Sequence, residues 1–147
     1  GKTKLINFFV INNAWSLVDL PGYGYAKVGK QRRFEFNQAV ADFLSGRRNL
    51  RRVFVLIDSR LPPQDIDLDF LRWMGDCVVP HTLVFTKTDK QSPAQTRTNI
   101  EAVMTAVAAW RPEPPDHLVS SAKTRTGRSD ILGAIASTLE KSNRSAG

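Results

Sequence analysis

Short apolar runs and amphipathic stretches alternate along most of the chain. The run Val53–Ile57 is apolar throughout, which is typical of a strand buried on both faces, and Thr82–Phe85 and Leu118–Ser120 are shorter runs with strand character. Beside these runs, apolar residues recur at the spacing of a helix face. The pattern predicts helices at residues 30–45, 64–75 and 127–141, and a further helix that opens at Ser92 and is stopped by the prolines after Arg111.

The first part of the chain has a different pattern. Lys4–Ile11 and Ala14–Leu20 both have the composition of strands, and the Asn12-Asn13 pair between them tolerates positive φ angles. The pattern therefore predicts a tight antiparallel hairpin. Pro21–Gly24 then breaks the second strand and forms a loop.

The start of the third helix carries a specific set of signals. Ser92 is a favoured cap, Pro93 fits the first helical position, and Gln95 completes the spacing of a capping box. After the hairpin, helices and buried strands alternate, which indicates an α/β domain with a mostly parallel sheet and helices on both faces. Ligands of such sheets bind at the carboxyl ends of the strands.

Composition narrows the class of protein. The 147 residues suffice for one domain, and no run approaches the roughly 20 apolar residues of a membrane span. The single cysteine favours a reducing cytoplasm. The net charge is +7, of which residues 23–52 carry +6, and this concentration predicts a polyanionic partner.

The opening Gly1-Lys2-Thr3 has the letters of the end of a P-loop. A P-loop is followed directly by a helix whose amino end binds phosphate, whereas Lys4–Ile11 has strand character here. Because Asp19 comes only sixteen positions after Thr3, the chain has no room for a helix, a loop and a strand between them. Gly1-Lys2-Thr3 is therefore not interpreted as a P-loop.

Three polar segments follow predicted strands. Asp19-Leu-Pro-Gly22 is a D-x-x-G segment, whose Asp holds Mg²⁺ through water in nucleotide triphosphatases. Thr86-Lys-Thr-Asp89 has the form of a guanine reader, because a carboxylate can accept from the two N–H groups on the guanine edge that adenine lacks. Ser120–Lys123, at the end of the next strand, fits the companion loop that meets guanine O6.

With these motifs in order, the chain resembles the EngB family of bacterial ribosome-assembly GTPases over nearly its whole length, most specifically over Gly1–Val28. The resemblance implies a Ras-like, three-layer P-loop GTPase fold. It places Gly1-Lys2-Thr3 in the first switch and Asp19–Gly22 at the start of the second. The implied GTP-binding residues are Gly1, Lys2, Thr3, Lys4, Leu5, Asp19, Leu20, Pro21, Gly22, Thr86, Lys87, Thr88, Asp89, Val119, Ser120, Ser121 and Ala122, and the implied Mg²⁺ ligands are Thr3 and, through water, Asp19.

The resemblance leaves the register of the base loop open by one residue, so Lys123 is an alternative base-loop residue. It also implies a first strand and a P-loop before Gly1, about 40 to 60 residues with the following helix. The printed sequence contains no G-x-x-x-x-G-K-[ST] segment, so we expect the 147-residue chain to bind GTP poorly and to be inactive as a GTPase. Tyr23 stands where many GTPases have a water-positioning Gln.

We interpret residues 1–141 as an incomplete GTPase domain and 142–147 as a loose tail. The predicted protein is a monomeric, cytoplasmic GTP-binding switch without membrane contact. By resemblance it acts in large ribosomal subunit assembly and in normal cell division and septation. Its predicted partners are GTP, GDP, the large subunit and ribosomal RNA, which it contacts through Arg47, Arg48, Arg51 and Arg52.

The alternative, from another functional class, is a nucleotide-free RNA- or ribosome-binding module that has lost its P-loop. The genomic sequence upstream of Gly1 distinguishes the two. A P-loop enzyme for another nucleotide is a weaker third interpretation, which Asp89 argues against.

Overall fold

The computed structural model describes residues 5–23, 30–76 and 80–145. The chain divides into two compact units, Gly1–Arg48 and Asn49–Gly147, which are described separately. The prediction that residues 1–141 form one GTPase domain stays a prediction. No helix in the described ranges has the length and apolar character of a membrane span.

The first unit begins with the predicted hairpin. Strands β1 (Asn7–Ile11) and β2 (Trp15–Asp19) are antiparallel, and the pair Ile11–Trp15 closes the ladder. Asn12 and Asn13 both have φ of 51°, the left-handed conformation that asparagine tolerates better than most residues. The Ala14 amide donates to the Ile11 carbonyl at 3.0 Å. The predicted turn chemistry is therefore confirmed, while both strands are shorter than predicted.

Helix α1 (Lys30–Gly46) completes the first unit. Its carboxyl-terminal half buries Val40 and Leu44, and the Phe43 ring packs edge-on against Phe8 of β1 with the centroids 5.9 Å apart. The Arg47 guanidinium lies 4.8 Å from the Phe8 ring centroid and 4.7 Å from that of Phe43. These contacts fix the end of α1 on the hairpin.

The second unit contains a parallel sheet of β3 (Val53–Asp58), β4 (His81–Thr86) and β5 (His117–Val119), in that order. The register pairs include Asp58–Thr86 and Phe85–Val119. The three strands lie within a residue or so of their predicted bounds. The elements of the unit are β3 (Val53–Asp58), α2 (Asp65–Asp76), β4 (His81–Thr86), a 3₁₀ turn (Thr88–Lys90), α3 (Pro93–Ala108), β5 (His117–Val119) and α4 (Arg128–Ser145).

The core of this unit lies around the central strand β4, in which His81–Phe85 are all buried. Helices α2 and α3 pack on one another, with Met74 and Val107 fully buried. β-branched and aromatic residues favour strands. The prediction that β3 is buried on both faces is wrong, because Val55 and Ile57 are buried on one face while Leu56 on the other is 62% exposed.

The start of α3 departs in part from the predicted capping box. The Ser92 hydroxyl accepts from the Gln95 amide at 3.2 Å, and Pro93 occupies the first turn, as predicted. The Gln95 side chain does not complete the box but donates to the Asn99 side chain at 3.1 Å.

At the carboxyl end of the chain, α4 continues to Ser145, so four of the six residues assigned to a loose tail are helical.

Candidate functional site

The carboxyl ends of β3, β4 and β5 lie side by side at one edge of the parallel sheet. The register pairs Asp58 with Thr86, and Phe85 with Val119, so the residues that follow these strands are neighbours. Two of the predicted motif segments, Thr86–Asp89 and Ser120–Lys123, meet at this edge, as the rule for ligand sites in α/β sheets leads us to expect.

A strained lysine turns the chain after β4. Lys87 has φ of 62° and ψ of 30°, a left-handed conformation that is uncommon for residues other than glycine. The 3₁₀ turn Thr88–Lys90 follows, closed by a bond from the Lys90 amide to the Lys87 carbonyl at 3.0 Å. Such strain persists where surrounding contacts hold it, and here it directs Asp89 back towards the loop after β5.

The loop after β5 is bound directly to this turn. The Thr88 amide and hydroxyl both donate to the Ser120 carbonyl, at 3.3 and 3.2 Å. The Ser121 hydroxyl donates to Asp89 Oδ1 at 2.6 Å and accepts from the Thr124 amide at 3.1 Å. In the predicted base loop, Ser121 is thus the side chain that touches the Asp89 carboxylate, and Ser120 contributes its carbonyl.

The two oxygens of the Asp89 carboxylate have different surroundings. The side chain is only 10% exposed, and Lys90 Nζ lies 3.9 Å from Oδ2. Within the described part of the chain, Oδ2 is buried and accepts no hydrogen bond. The hydrogen bond from Ser121 is the main cause that holds the pKa of Asp89 below its usual range, so the carboxylate is charged at neutral pH. Lys90 Nζ therefore forms a long ion pair with Oδ2 but no hydrogen bond, and a buried charged acceptor is stabilised by a donor.

Gly127 ends the loop that follows β5. In the sequence analysis it only marked the start of the last predicted helix. It has φ of +74°, and a Cβ atom there would lie 1.8 Å from the Val119 carbonyl oxygen. The Ser121 amide donates to the carbonyl of Thr126, the residue before Gly127, at 3.1 Å. The loop that presents Ser121 therefore depends on a glycine at its end.

Sequence reasoning also missed Asp58, which ends β3 at the same edge. Arg60 binds both of its oxygens, with Nε to Oδ1 at 2.9 Å and Nη2 to Oδ2 at 2.7 Å, and Lys87 Nζ lies 2.8 Å from Oδ2. Arg60 first, and then Lys87, hold the pKa of Asp58 far below its usual range. An acidic residue directly after a buried apolar run was the available signal.

The remaining predicted GTP-binding residues divide between the units. In the second unit, Thr86 is half-buried and its hydroxyl donates to the Ile57 carbonyl at 3.1 Å, while Val119, Ala122 and Lys123 are exposed. The first-unit residues Leu5 and Gly22 are exposed, Leu20 is half-buried and Pro21 is buried. Four further predicted GTP-binding residues lie outside the described residues: Gly1, Lys2, Thr3 and Lys4.

The predicted Mg²⁺ ligand Asp19 is exposed at the end of β2. The described ranges contain no group of three or more His, Cys, Asp or Glu side chains that could hold a metal ion. Mg²⁺ usually takes one or two carboxylates together with water and phosphate oxygens. The role of Asp19 as a Mg²⁺ ligand therefore stays a prediction.

The four arginines predicted to contact RNA have different surroundings. Arg48 and Arg51 are exposed. Arg47 lies over two aromatic rings, as described above. Arg52 is half-buried, and its guanidinium donates to the Thr138 and Thr82 hydroxyls at 2.8 and 2.7 Å. Arg52 therefore connects α4 to the sheet, a contact that competes with binding a phosphate.

Comparison with known proteins identifies relatives over more than nine-tenths of the chain. A "Probable GTP-binding protein EngB" from Phocaeicola vulgatus is 44% identical over 137 residues, which cover 93% of this chain and 68% of the relative. Proteins of the same name from Bacteroides fragilis and Porphyromonas gingivalis are 41% and 44% identical, over 97% and 93% of this chain and 71% and 68% of their own lengths. No family model matches the sequence.

Among solved structures, translation elongation factor SelB from Methanococcus maripaludis in complex with the GTP analogue GppNHp has the same fold. The TM-score is 0.69 at 19% identity, covering 94% of this chain and 28% of the SelB chain. The apo form matches with a TM-score of 0.65 over 85% of this chain and 25% of that chain. This likeness confirms the predicted α/β GTPase-like fold, and the relatives of similar sequence establish that the chain belongs to the EngB family of GTP-binding proteins.

Proposed function

We propose that this protein is a GTP-hydrolysing switch, dependent on Mg²⁺, that acts in the cytoplasm during assembly of the large ribosomal subunit and supports normal cell division. The observation that carries guanine binding is the buried Oδ2 of Asp89, which accepts no hydrogen bond within the described residues. It lies at the ligand edge of the parallel sheet, beside the Ser121 hydroxyl.

Guanine fits this acceptor through its own donors. Its N1–H and N2–H₂ groups can both donate to the Asp89 carboxylate, while the Ser121 hydroxyl keeps that carboxylate oriented from the other side. Adenine offers neither donor at these positions and would leave the charge buried without a partner. The aliphatic stem of Lys87 is available to pack on the flat base. The amides of Ser120 and Ser121 already donate to the Phe85 and Thr126 carbonyls, so the Ala122 amide is the proposed donor to O6 within this loop.

Of the two proposed Mg²⁺ ligands, only Asp19 lies within the described residues. Asp19 would hold Mg²⁺ through water, and the ion would neutralise charge on the phosphates of the bound nucleotide. Thr3, the second proposed ligand, lies outside the described residues. Tyr23 has no amide to orient water, so we propose that hydrolysis depends on the ribosomal partner.

The partner proposal rests on the basic residues at the end of α1 and before β3. Arg48 and Arg51 are exposed and are the stronger candidates for phosphate contacts in ribosomal RNA. The Arg47 guanidinium lies over the Phe8 and Phe43 rings and could still donate to a phosphate from its edge. Arg52 is held inside the second unit by its hydrogen bond to Thr138. We propose that the protein acts as a monomer on the large subunit.

GTP hydrolysis by the complete gene product, with and without purified large ribosomal subunits, tests this function. We expect slow hydrolysis by the protein alone and at least about a tenfold increase with subunits, since stimulation by a partner can reach far larger factors in this class of enzyme. The 147-residue chain is the matched comparison. Its sequence contains no P-loop motif, so we expect it neither to bind GTP at micromolar concentration nor to hydrolyse it. Equal rates with and without subunits would contradict the ribosomal role.

A further inference from the structure

Asp58 and Lys87 meet across two neighbouring strands. Asp58 ends β3 and pairs in register with Thr86, the residue before Lys87. Lys87 Nζ lies 2.8 Å from Asp58 Oδ2, and the two side chains are 52% and 21% exposed. The ammonium of the predicted base-stacking lysine is therefore already bound to a carboxylate of the adjacent strand.

The Asp58 carboxylate is itself held in one orientation. The Arg60 amide donates to Oδ1 at 3.1 Å, and the Arg60 guanidinium reaches both oxygens. These contacts are local, because Arg60 follows Asp58 by two positions in a turn closed by the bond from the Leu61 amide to the Asp58 carbonyl at 3.2 Å. Lys87 therefore binds a carboxylate whose orientation is already set by Arg60.

The backbone after Asp58 is fixed as well. The Ser59 amide donates to the Thr86 carbonyl at 3.1 Å, which continues the sheet ladder by one bond. The Ser59 carbonyl accepts from the side chains of Gln91 and Asn99, at 2.7 and 2.9 Å. Ser59 is 1% exposed and Asn99 is 7% exposed. The turn that carries Asp58 is thus anchored to the start of α3.

We propose that Asp58 is a positioning residue that orders the Lys87 side chain so that its stem is ready to cover a guanine base. The inference rests on the proposed guanine binding and deepens it. A free lysine side chain occupies many rotamers, and ordering it when a ligand binds weakens affinity. An exposed ion pair adds little to the stability of a fold, so the effect of this pair is expected in binding.

Asp58→Asn in the complete gene product tests the proposal. Asparagine keeps an oxygen that can accept from the Arg60 amide but removes the charge that holds Lys87. We expect titration with GDP to show affinity about fivefold weaker, the size expected when one rotamer-rich side chain must be ordered on binding. Asp69→Asn is the matched control, because Asp69 forms an exposed ion pair with Arg72 on α2 at 3.1 Å, and we expect unchanged affinity.

Three further comparisons separate positioning from a structural role. In a Lys87→Ala background, Asp58→Asn is expected to cause no further loss of affinity, because its effect passes through the lysine. Inosine diphosphate lacks the N2 amine of guanine but keeps the base face that the Lys87 stem would cover. Asp58→Asn is therefore expected to weaken the binding of inosine diphosphate by the same factor as that of GDP. Asp58→Glu, which retains the negative charge, is expected to bind GDP more tightly than Asp58→Asn, and thermal unfolding of each variant verifies that it is folded.

The proposal is overturned if Asp58→Asn binds GDP as tightly as the unaltered protein, or if its loss is equally large without Lys87. Either result would leave guanine binding itself intact. A failure of the unaltered protein to bind GDP would overturn both the proposed function and this inference, so the two failures are distinguishable.

Discussion

Asp89→Asn in the complete gene product is expected to weaken GDP binding by about a hundredfold or more and to shift the preference towards xanthosine diphosphate. The Asp89 carboxylate offers acceptors alone, which match the two donors on the guanine edge. An asparagine amide places a donor there instead, which opposes guanine but can donate to the C2 oxygen of xanthine. Titration with GDP and with xanthosine diphosphate measures both changes.

The control for Asp89→Asn is Asp116→Asn. Asp116 is exposed and precedes β5, at the end of the strand opposite to the site, so the same chemical change there should leave both affinities unaltered. A variant at residue 89 that keeps its preference for GDP would show that another group reads the base edge. Equal weakening towards both nucleotides would point to a general disturbance of the turn that follows Lys87.

Gly127→Ala is expected to lower the free energy of unfolding by about 3 kcal/mol or more. Two effects act together at this position. The backbone has φ of +74°, which a residue with a Cβ atom adopts only with strain, and that atom would lie 1.8 Å from the Val119 carbonyl oxygen. Because the obstacle is backbone, relief requires the loop and β5 to move apart. Denaturant unfolding of the 147-residue chain or of the complete gene product measures the loss.

Gly133→Ala is the matched control for this stability measurement. Gly133 lies inside α4, and a Cβ atom there meets nothing within 4 Å. Alanine favours a helix interior over glycine, so this variant is expected to be more stable by about 0.5 to 1 kcal/mol. A similar effect of both substitutions would mean that the loop after β5 has room for a side chain at residue 127.

Local patterns in the sequence were sufficient for the framework and for part of the site. The paired asparagines predicted a hairpin because both tolerate the positive φ angle that they adopt. The apolar runs predicted three parallel strands, because the strands of such sheets lack polar alternation, although Leu56 of β3 is exposed and that strand is not covered on both faces. Asp89 and Ser121 were found because each follows such a strand, and the sheet places the carboxyl ends of neighbouring strands together.

Contacts between distant parts of the chain were beyond these patterns. Arg52 belonged to a basic cluster in the sequence, but its guanidinium binds Thr82 and Thr138, 30 and 86 residues away. The Asp58–Lys87 pair spans 29 residues, and charge spacing along the chain cannot reveal it. Gly127 is constrained by a carbonyl of the preceding strand, which only the path of the loop brings near. Each of these depends on how distant segments pack together.

Competition between GDP and ADP for the complete gene product tests the central claim most directly, because the two ligands share their ribose and phosphates and differ in the base. If the Asp89 carboxylate reads the guanine edge, GDP binds at least about a hundredfold more tightly than ADP. Equal affinities, or tighter binding of ADP, would contradict the account.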